Sequence, residues 1–301
     1  GNPVMAYDHI SVCEVATTIY NEQSASPREK HPLDKWRYYG SVKYSSFMCA
    51  PIYDRSFRYM RRAAGVMTSN DFINWSPNHL VLQPDEIDDF LCCQRIMTAS
   101  PVLRRNRPEA HRAEFYGMAL MPYGDMLLGL LWVLDASGSK HDDGGNQEGP
   151  VHIQLVGTRD LRRWQRLGER MSLLSPGSPG EWDCGSMYTV NKPIIVGDEI
   201  WLYYAGFSQG HAADSDNVGS IGLATWRLDG FVSINANVHT GTLTTKPLCF
   251  QGDRLQVNAD AAGGEIAVEL LDEADRPLDG FDVASSIACR KDSIRHEMIW
   301  K

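Results

Sequence analysis

A phrase that returns at a fixed interval constrains this chain more than any other feature. Asp71-Phe72-Ile73-Asn74-Trp75 and Asp160-Leu161-Arg162-Arg163-Trp164 share an aspartate, an apolar residue and a tryptophan four places after the aspartate. Asp229-Gly230-Phe231 stands at the corresponding place in a third run. The stretch before the phrase returns as well. Tyr123-Gly124-Asp125-Met126-Leu127-Leu128-Gly129 is echoed by Val196-Gly197-Asp198-Glu199-Ile200-Trp201-Leu202. Asp125 and Asp198 are 73 residues apart, and Asp160 and Asp229 are 69 apart. Two landmarks with nearly one offset imply a repeated structural unit, which confines the fold to an array of similar modules.

Within a unit the residues read as strands. From 181 to 234 the chain runs through Pro193-Ile194-Ile195-Val196, Ile200-Trp201-Leu202-Tyr203-Tyr204, Ile221-Gly222-Leu223-Ala224-Thr225-Trp226 and Phe231-Val232-Ser233-Ile234. Short β-branched and aromatic runs bounded by Gly-Asp and Asp-Gly pairs predict antiparallel strands with tight turns. About four strands in such a span make a sheet the size of one propeller blade. Three blades are expected, at 8–76, 112–165 and 183–234, with 77–111 as a connection. A propeller needs about four blades to close, so the others are expected before Gly1. The chain opens on Gly rather than Met and ends at a strand-like Met298-Ile299-Trp300-Lys301, as a piece of a longer protein would.

After Ile234 the pattern changes. Thr242–Leu248, Arg254–Asn258 and Glu265–Leu270 alternate at period two, which predicts a β-sandwich with one solvated face. The fold class is therefore all-β: a β-propeller domain over 1–234, N-terminally incomplete, then a partial β-sandwich over 235–301. No sustained 3.6-residue period is present, so helix is expected in under about a tenth of the chain.

Composition narrows the partners. The 301 residues carry a net charge of -9 and no basic stripe, which argues against nucleic acid. The pairs Arg61-Arg62 and Arg104-Arg105 are too short to alter that. No apolar run approaches the roughly 18 residues of a membrane span. Seven scattered cysteines without a C-x-x-C pair suit buried thiols better than disulfides or a zinc site. No cofactor is called for. Asp142-Asp143-Gly144-Gly145-Asn146 resembles part of a calcium loop but lacks the alternating ligands and terminal Glu, so a solvated hairpin is the simpler reading.

Ile221–Ser233, followed by Gly241-Thr242-Leu243-Thr244-Thr245-Lys246-Pro247, resembles a bacterial glycosidase-like family. The likeness reaches back through Gly180-Glu181-Trp182-Asp183-Cys184-Gly185 and Glu114-Phe115-Tyr116-Gly117-Met118. Its members look like the five-bladed propeller hydrolases of glycoside hydrolase families 32 and 43, joined to a C-terminal β-sandwich. The resemblance implies three acidic residues at the propeller funnel and an oligo- or polysaccharide partner. The chain departs from the best-described members: it has no Asn-Asp-Pro-Asn-Gly, Arg-Asp-Pro or Glu-Cys-Pro.

Glycoside hydrolysis needs two carboxyl groups across the scissile bond, roughly 5–5.5 Å apart in retaining and 6.5–9.5 Å in inverting enzymes. In a propeller such groups meet only at the axis, so they should recur at the first strand of each blade. Asp8, Glu114 and Asp183 do, and Glu114 lies 69 residues before Asp183, the blade spacing found above. The plain alternative is that such acids cap turns or solvate a rim. Glu181 competes with Asp183 for the acid role, beside Trp182. Trp182, Tyr116 and Tyr188 are candidate sugar-stacking platforms, and His9 beside Asp8 could hold a sugar hydroxyl or orient a carboxylate. Trp36, Trp75, Trp164 and Trp201 recur at strand positions and read as core. Three functions fit: a glycoside hydrolase, a catalytically inactive carbohydrate-binding propeller, or an interaction propeller.

Overall fold

The computed structural model describes residues 16–20, 44–52, 61–99, 103–124, 126–141, 146–213 and 216–301. It is mostly β and divides into two compact units, 1–194 with 201–224, and 195–200 with 225–301.

The first run of strands forms a four-stranded antiparallel sheet: β1 (Ala16–Tyr20), β2 (Tyr44–Ile52), β3 (Arg61–Ser69) and β4 (His79–Leu82) in that order. The second comprises β5 (Arg112–Tyr123), β6 (Met126–Ala136), β9 (Val151–Thr158) and two short strands against β9, β10 (Gln165–Arg166) and β11 (Ser172–Leu174). A small ladder, β7 (Gly138–Ser139) with β8 (Gln147–Glu148), closes the loop between β6 and β9. The third holds β12 (Ser186–Thr189), β13 (Ile194–Val196), β14 (Glu199–Phe207) and β15 (Gly219–Arg227).

The second and third runs were expected as separate sheets but share one of nine strands, joined by a parallel pairing of Ser186 with Val151. Glycines make that join possible. A Cβ on Gly185 would enter the Gln209 carbonyl, and one on Gly149 (φ 152°) would enter that of Asp135. The His211 amide donates to the Gly149 carbonyl at 2.7 Å, so these backbones touch where any side chain would hold them apart.

The repeated phrase has one geometry at two of its three places. Asp71 Oδ1 accepts the amides of Ile73 (2.8 Å) and Asn74 (2.7 Å), while Asp160 Oδ1 accepts those of Arg162 (2.9 Å) and Arg163 (2.7 Å). The next residue is left-handed in both, Phe72 at φ 63° and Leu161 at φ 62°. Each tryptophan then donates its indole N–H to that residue's carbonyl. Asp229 differs. It is itself left-handed (φ 59°), inside a turn closed by Gly230 N–H to Arg227 O, as Asp tolerates and Gly permits.

Residues 77–111, expected as a plain connection, contain helix α1 (Glu86–Ala99). Asp85 caps it, accepting the amides of Ile87 and Asp88, and Asp88 Oδ2 accepts the Asp85 amide in return. Its apolar face is narrow: Cys92 and Ile96 are buried with Phe115, Leu131 and Val133 of the sheet. Ion pairs supply the rest. Arg95 holds Asp135 at 2.6 Å, Arg166 holds Asp88 at 2.9 Å, Arg170 reaches Asp85 and Asp88, and Arg61 binds Asp89.

Two further expectations change. Thr242–Leu248 forms no ladder and is exposed; Pro247 has no N–H to give and nothing covers either face. The 225–301 segment instead builds one antiparallel pair, β16 (Gln256–Asp260) with β17 (Asp292–Glu297), plus isolated bridges such as Ser286 to Trp300. The described cysteines are all free, and Cys92 and Cys184 are buried, but Cys249 is exposed.

His152 sits within the charged layer beneath α1. Its Nδ1 is 2.7 Å from Ser172 Oγ and its Nε2 is 3.7 Å from Asp135 Oδ2. Burial, with Arg95 and Arg166 beside it, holds its pKa well below the ordinary 6.5. The unfolded chain therefore binds a proton below 6.5 that the folded chain refuses, and this contribution to stability falls as pH drops. Asp135 acts oppositely, its pKa pushed up to about 6 by burial against the pull of Arg95. The difference between wild type and His152→Gln isolates the histidine. From pH 7 to pH 5 wild type is expected to lose about 1–2 kcal/mol relative to the variant in urea unfolding.

Candidate functional site

Side chains named by the sequence gather in two clusters, the first on the sheet face opposite α1 and the second around Tyr204 and Gly206, which alternate with Tyr188 and Phe207 across the β12–β14 pair. The first is built by an irregularity in β5. Phe115 pairs with Val133 but Gly117 pairs with Trp132, so Tyr116 is an extra residue, a bulge that re-aims its side chain. Its ring lies 6.0 Å from that of Tyr188, 4.5 Å from His211 and 5.3 Å from the Arg62 guanidinium. Tyr188 on β12 also meets Trp132 and Phe207 edge-on. Burial pushes the Tyr188 phenol well above its ordinary pKa, so it stays protonated.

Glu114, two residues before Tyr116, is 1% exposed. Arg62 binds its Oε2 at 2.5 Å, and Arg112 binds its Oε1 through Nε at 2.8 Å. Strand alternation explains the arrangement. Arg61 turns toward the helix side, donating to Ala113 O and Asp89, while Arg62 turns to the other face and Glu114. Both carboxylate oxygens are thus engaged by guanidinium groups.

The second cluster is the 175–185 loop. Asp183 is 9% exposed, and its Oδ2 accepts the Tyr204 hydroxyl at 2.8 Å. Tyr204 stacks on Trp182 (centroids 5.7 Å, planes 17° apart), while Trp182 remains 40% exposed. Gly206 leaves room for this: a Cβ there would strike both the Asp183 Cβ and the Trp182 ring. Glu181 is exposed and accepts the Ser178 amide at 2.6 Å. A Cβ on Gly177 would collide with Glu181 Oε2 and Asp183 Oδ1 together. Those two oxygens therefore stand closer to each other than the roughly 5 Å of a retaining carboxyl pair.

Of the sequence candidates, the structure brings Tyr116 to Tyr188, and Asp183 to Glu181 and Trp182. Asp8 and His9 lie outside the described residues, as do Trp36 and most of the 142–146 loop. Arg62, Arg112, Tyr204 and His211 were not foreseen. Period-two alternation could have exposed Arg62, since adjacent arginines on a strand face opposite ways; the bulge that recruits His211 left no such signal. Among the described residues no group of three or more His, Cys, Asp or Glu gathers as a metal site would require.

No family model matches the sequence, and no curated protein matches it. Solved structures do. One described as a glycoside hydrolase is similar at TM-score 0.41 and 11% identity, over 82% of this chain and 55% of that one. The β-1,2-mannobiose phosphorylase of Listeria innocua is similar at 0.34 and 16%, over 61% and 38%. A glycoside hydrolase family 32 β-fructofuranosidase of Bombyx mori is similar at 0.33 and 12%, over 62% and 33%. The chain spans about half the length of the first structures it matches.

The clamp on Glu114 predicts a stability effect. Arg112→Met leaves a buried carboxylate with one partner and should lower the unfolding free energy by about 3 kcal/mol in urea titration. Replacing all three charges together, Arg62→Met, Glu114→Leu and Arg112→Met, should recover most of that loss.

Proposed function

We propose that the chain is the site-bearing part of a glycoside hydrolase-like protein. On this reading 1–234 belongs to a five-bladed-type propeller, 235–301 to an appended β-sandwich, and an oligo- or polysaccharide binds at the funnel. The observation that carries it is the 175–185 loop, where a shielded carboxyl, a second carboxyl within reach and an exposed stacked tryptophan occur together. The C–H face of a pyranose packs against such an indole, and Trp182 has one face backed by Tyr204. Asp183 protonates the departing glycosidic oxygen as the bond to the anomeric carbon breaks. Glu181 Oε2 lies beside Asp183 Oδ1, nearer than either spacing of a catalytic pair, so Glu181 shields and orients the acid, and the carboxylate that attacks the anomeric carbon or deprotonates water is proposed to be Asp8.

Glu114 takes a different part from the one expected of it. With both oxygens held by arginines and the side chain 1% exposed, its carboxylate is enclosed in ion pairs rather than presented to a sugar, and it serves as the rigid floor under Tyr116. Tyr116, Tyr188 and His211 form a second contact surface for sugar. The same clamp favours a second reading, a carbohydrate-binding propeller without hydrolysis, because it withdraws one of the expected acids from chemistry. Asp8 and His9 are proposed to complete the funnel, and no metal or cofactor is invoked.

Leaving-group dependence separates the two readings. Asp183→Asn should lower kcat on an alkyl glycoside by about 10²- to 10⁴-fold and on a dinitrophenyl glycoside by far less, since a good leaving group needs no protonation. Equal losses on both substrates would argue against Asp183 as the acid. Sugar binding without turnover by the wild type would favour the binding protein.

A further inference from the structure

We infer that Tyr204 is the positioning residue of the Asp183 carboxyl, fixing which of its oxygens meets substrate while backing the indole on which the sugar stacks. This rests on the reading of Asp183 as the acid. The Tyr204 hydroxyl donates to Oδ2 at 2.8 Å, which leaves Oδ1, beside Glu181 Oε2, as the oxygen free to deliver a proton. An aspartate side chain has a broad, roughly two-fold χ2, so one hydrogen bond to one oxygen decides its orientation. The rest of the cluster holds Tyr204 to that task. Its ring is stacked on Trp182 from one side, and a Cβ on Gly222 of the neighbouring β15 would run into its ring and hydroxyl. On β14, Tyr204 pairs with Thr189 two residues from Gly206, whose missing side chain admits Asp183 and Trp182. One strand therefore carries both the donor and the space for its acceptor.

The phenol keeps its proton throughout the working range. Burial, then the hydrogen bond to Asp183, pushes its pKa up to about 12. It is a permanent donor and takes no part in proton transfer.

Two substitutions split the two duties. Tyr204→Phe keeps the ring and removes only the hydroxyl. It should lower kcat on an alkyl glycoside about tenfold, leave KM within twofold, and affect a dinitrophenyl glycoside much less. Tyr204→Leu also removes the backing of Trp182 and should raise KM several-fold as well. Unfolding midpoints of both variants, and near-ultraviolet spectra in the tryptophan region, report whether the loop stays folded. Unchanged kcat in a folded Tyr204→Phe, with Asp183→Asn impaired, overturns the positioning role and leaves the acid assignment standing. Unchanged rates in both variants overturn the acid assignment, and the inference with it. Equal kcat loss on both glycosides in Tyr204→Phe, or a wild type inert toward every aryl glycoside, likewise overturns it.

Discussion

Strand β6 is the constraint on which the larger unit depends. All but its first residue are buried, and it is paired along its length with β5 on one edge and with β9 on the other. A strand so enclosed cannot slip by one residue without exchanging its two faces, and both faces are committed. Leu131, Val133 and Asp135 look toward α1, while Trp132 looks toward Tyr188, with its indole N–H given to Thr189 at 3.0 Å. The helix anchor and the aromatic cluster are therefore set by one register. The β5 bulge adjusts that register locally, since it slips Tyr116 out of the ladder without disturbing Phe115 below or Gly117 above.

The packing between α1 and the sheet is chemically mixed. Its apolar part is small, and the helix compensates with Arg95–Asp135 and Arg166–Asp88 at the interface and Arg170–Asp85 nearer its rim. Buried pairs of this kind contribute little net stability but fix geometry, because breaking one leaves an uncompensated charge. Arg61 extends the same layer, binding Asp89 and the Ala113 carbonyl, so the segment that carries Glu114 is tied to the helix through its neighbour. Stability on one face and site geometry on the other are thereby linked through adjacent residues of β3 and β5.

How much of this could be read from residues alone follows from the range of each interaction. The Asp-apolar-x-x-Trp turn is local: a carboxylate bonding amides two and three residues on needs no distant partner, so 71–75 and 160–164 were legible. Asp229 shared the letters without the tryptophan and made another turn. Strands β6, β13, β14 and β15 were legible because apolar runs there are bounded by Gly-Asp or Asp-Gly pairs, whereas 231–234, read in the same way, forms no strand. Helix α1 was not legible, since a face of only Cys92 and Ile96 gives almost no period, although Pro84-Asp85-Glu86-Ile87-Asp88 holds a capping signal. The period-two stretch at 242–248 misled because alternation describes a strand only when another strand is there to pair with it. In the site, Glu181-Trp182-Asp183 was visible as a short motif. The roles of Tyr204 and His211 depend on strand pairing and on a bulge, which no spacing along the chain encodes.

On the proposed reading, carbohydrate lies against Trp182 with its scissile oxygen beside Asp183. A crystal structure of the protein soaked with an oligosaccharide tests this most directly. Sugar density is expected over the face of Trp182 turned away from Tyr204, with a glycosidic oxygen within hydrogen-bond distance of Asp183 Oδ1. Density confined to residues 225–301, or an Asp183 carboxyl sealed from the bound sugar by Glu181 and Tyr204, would contradict it.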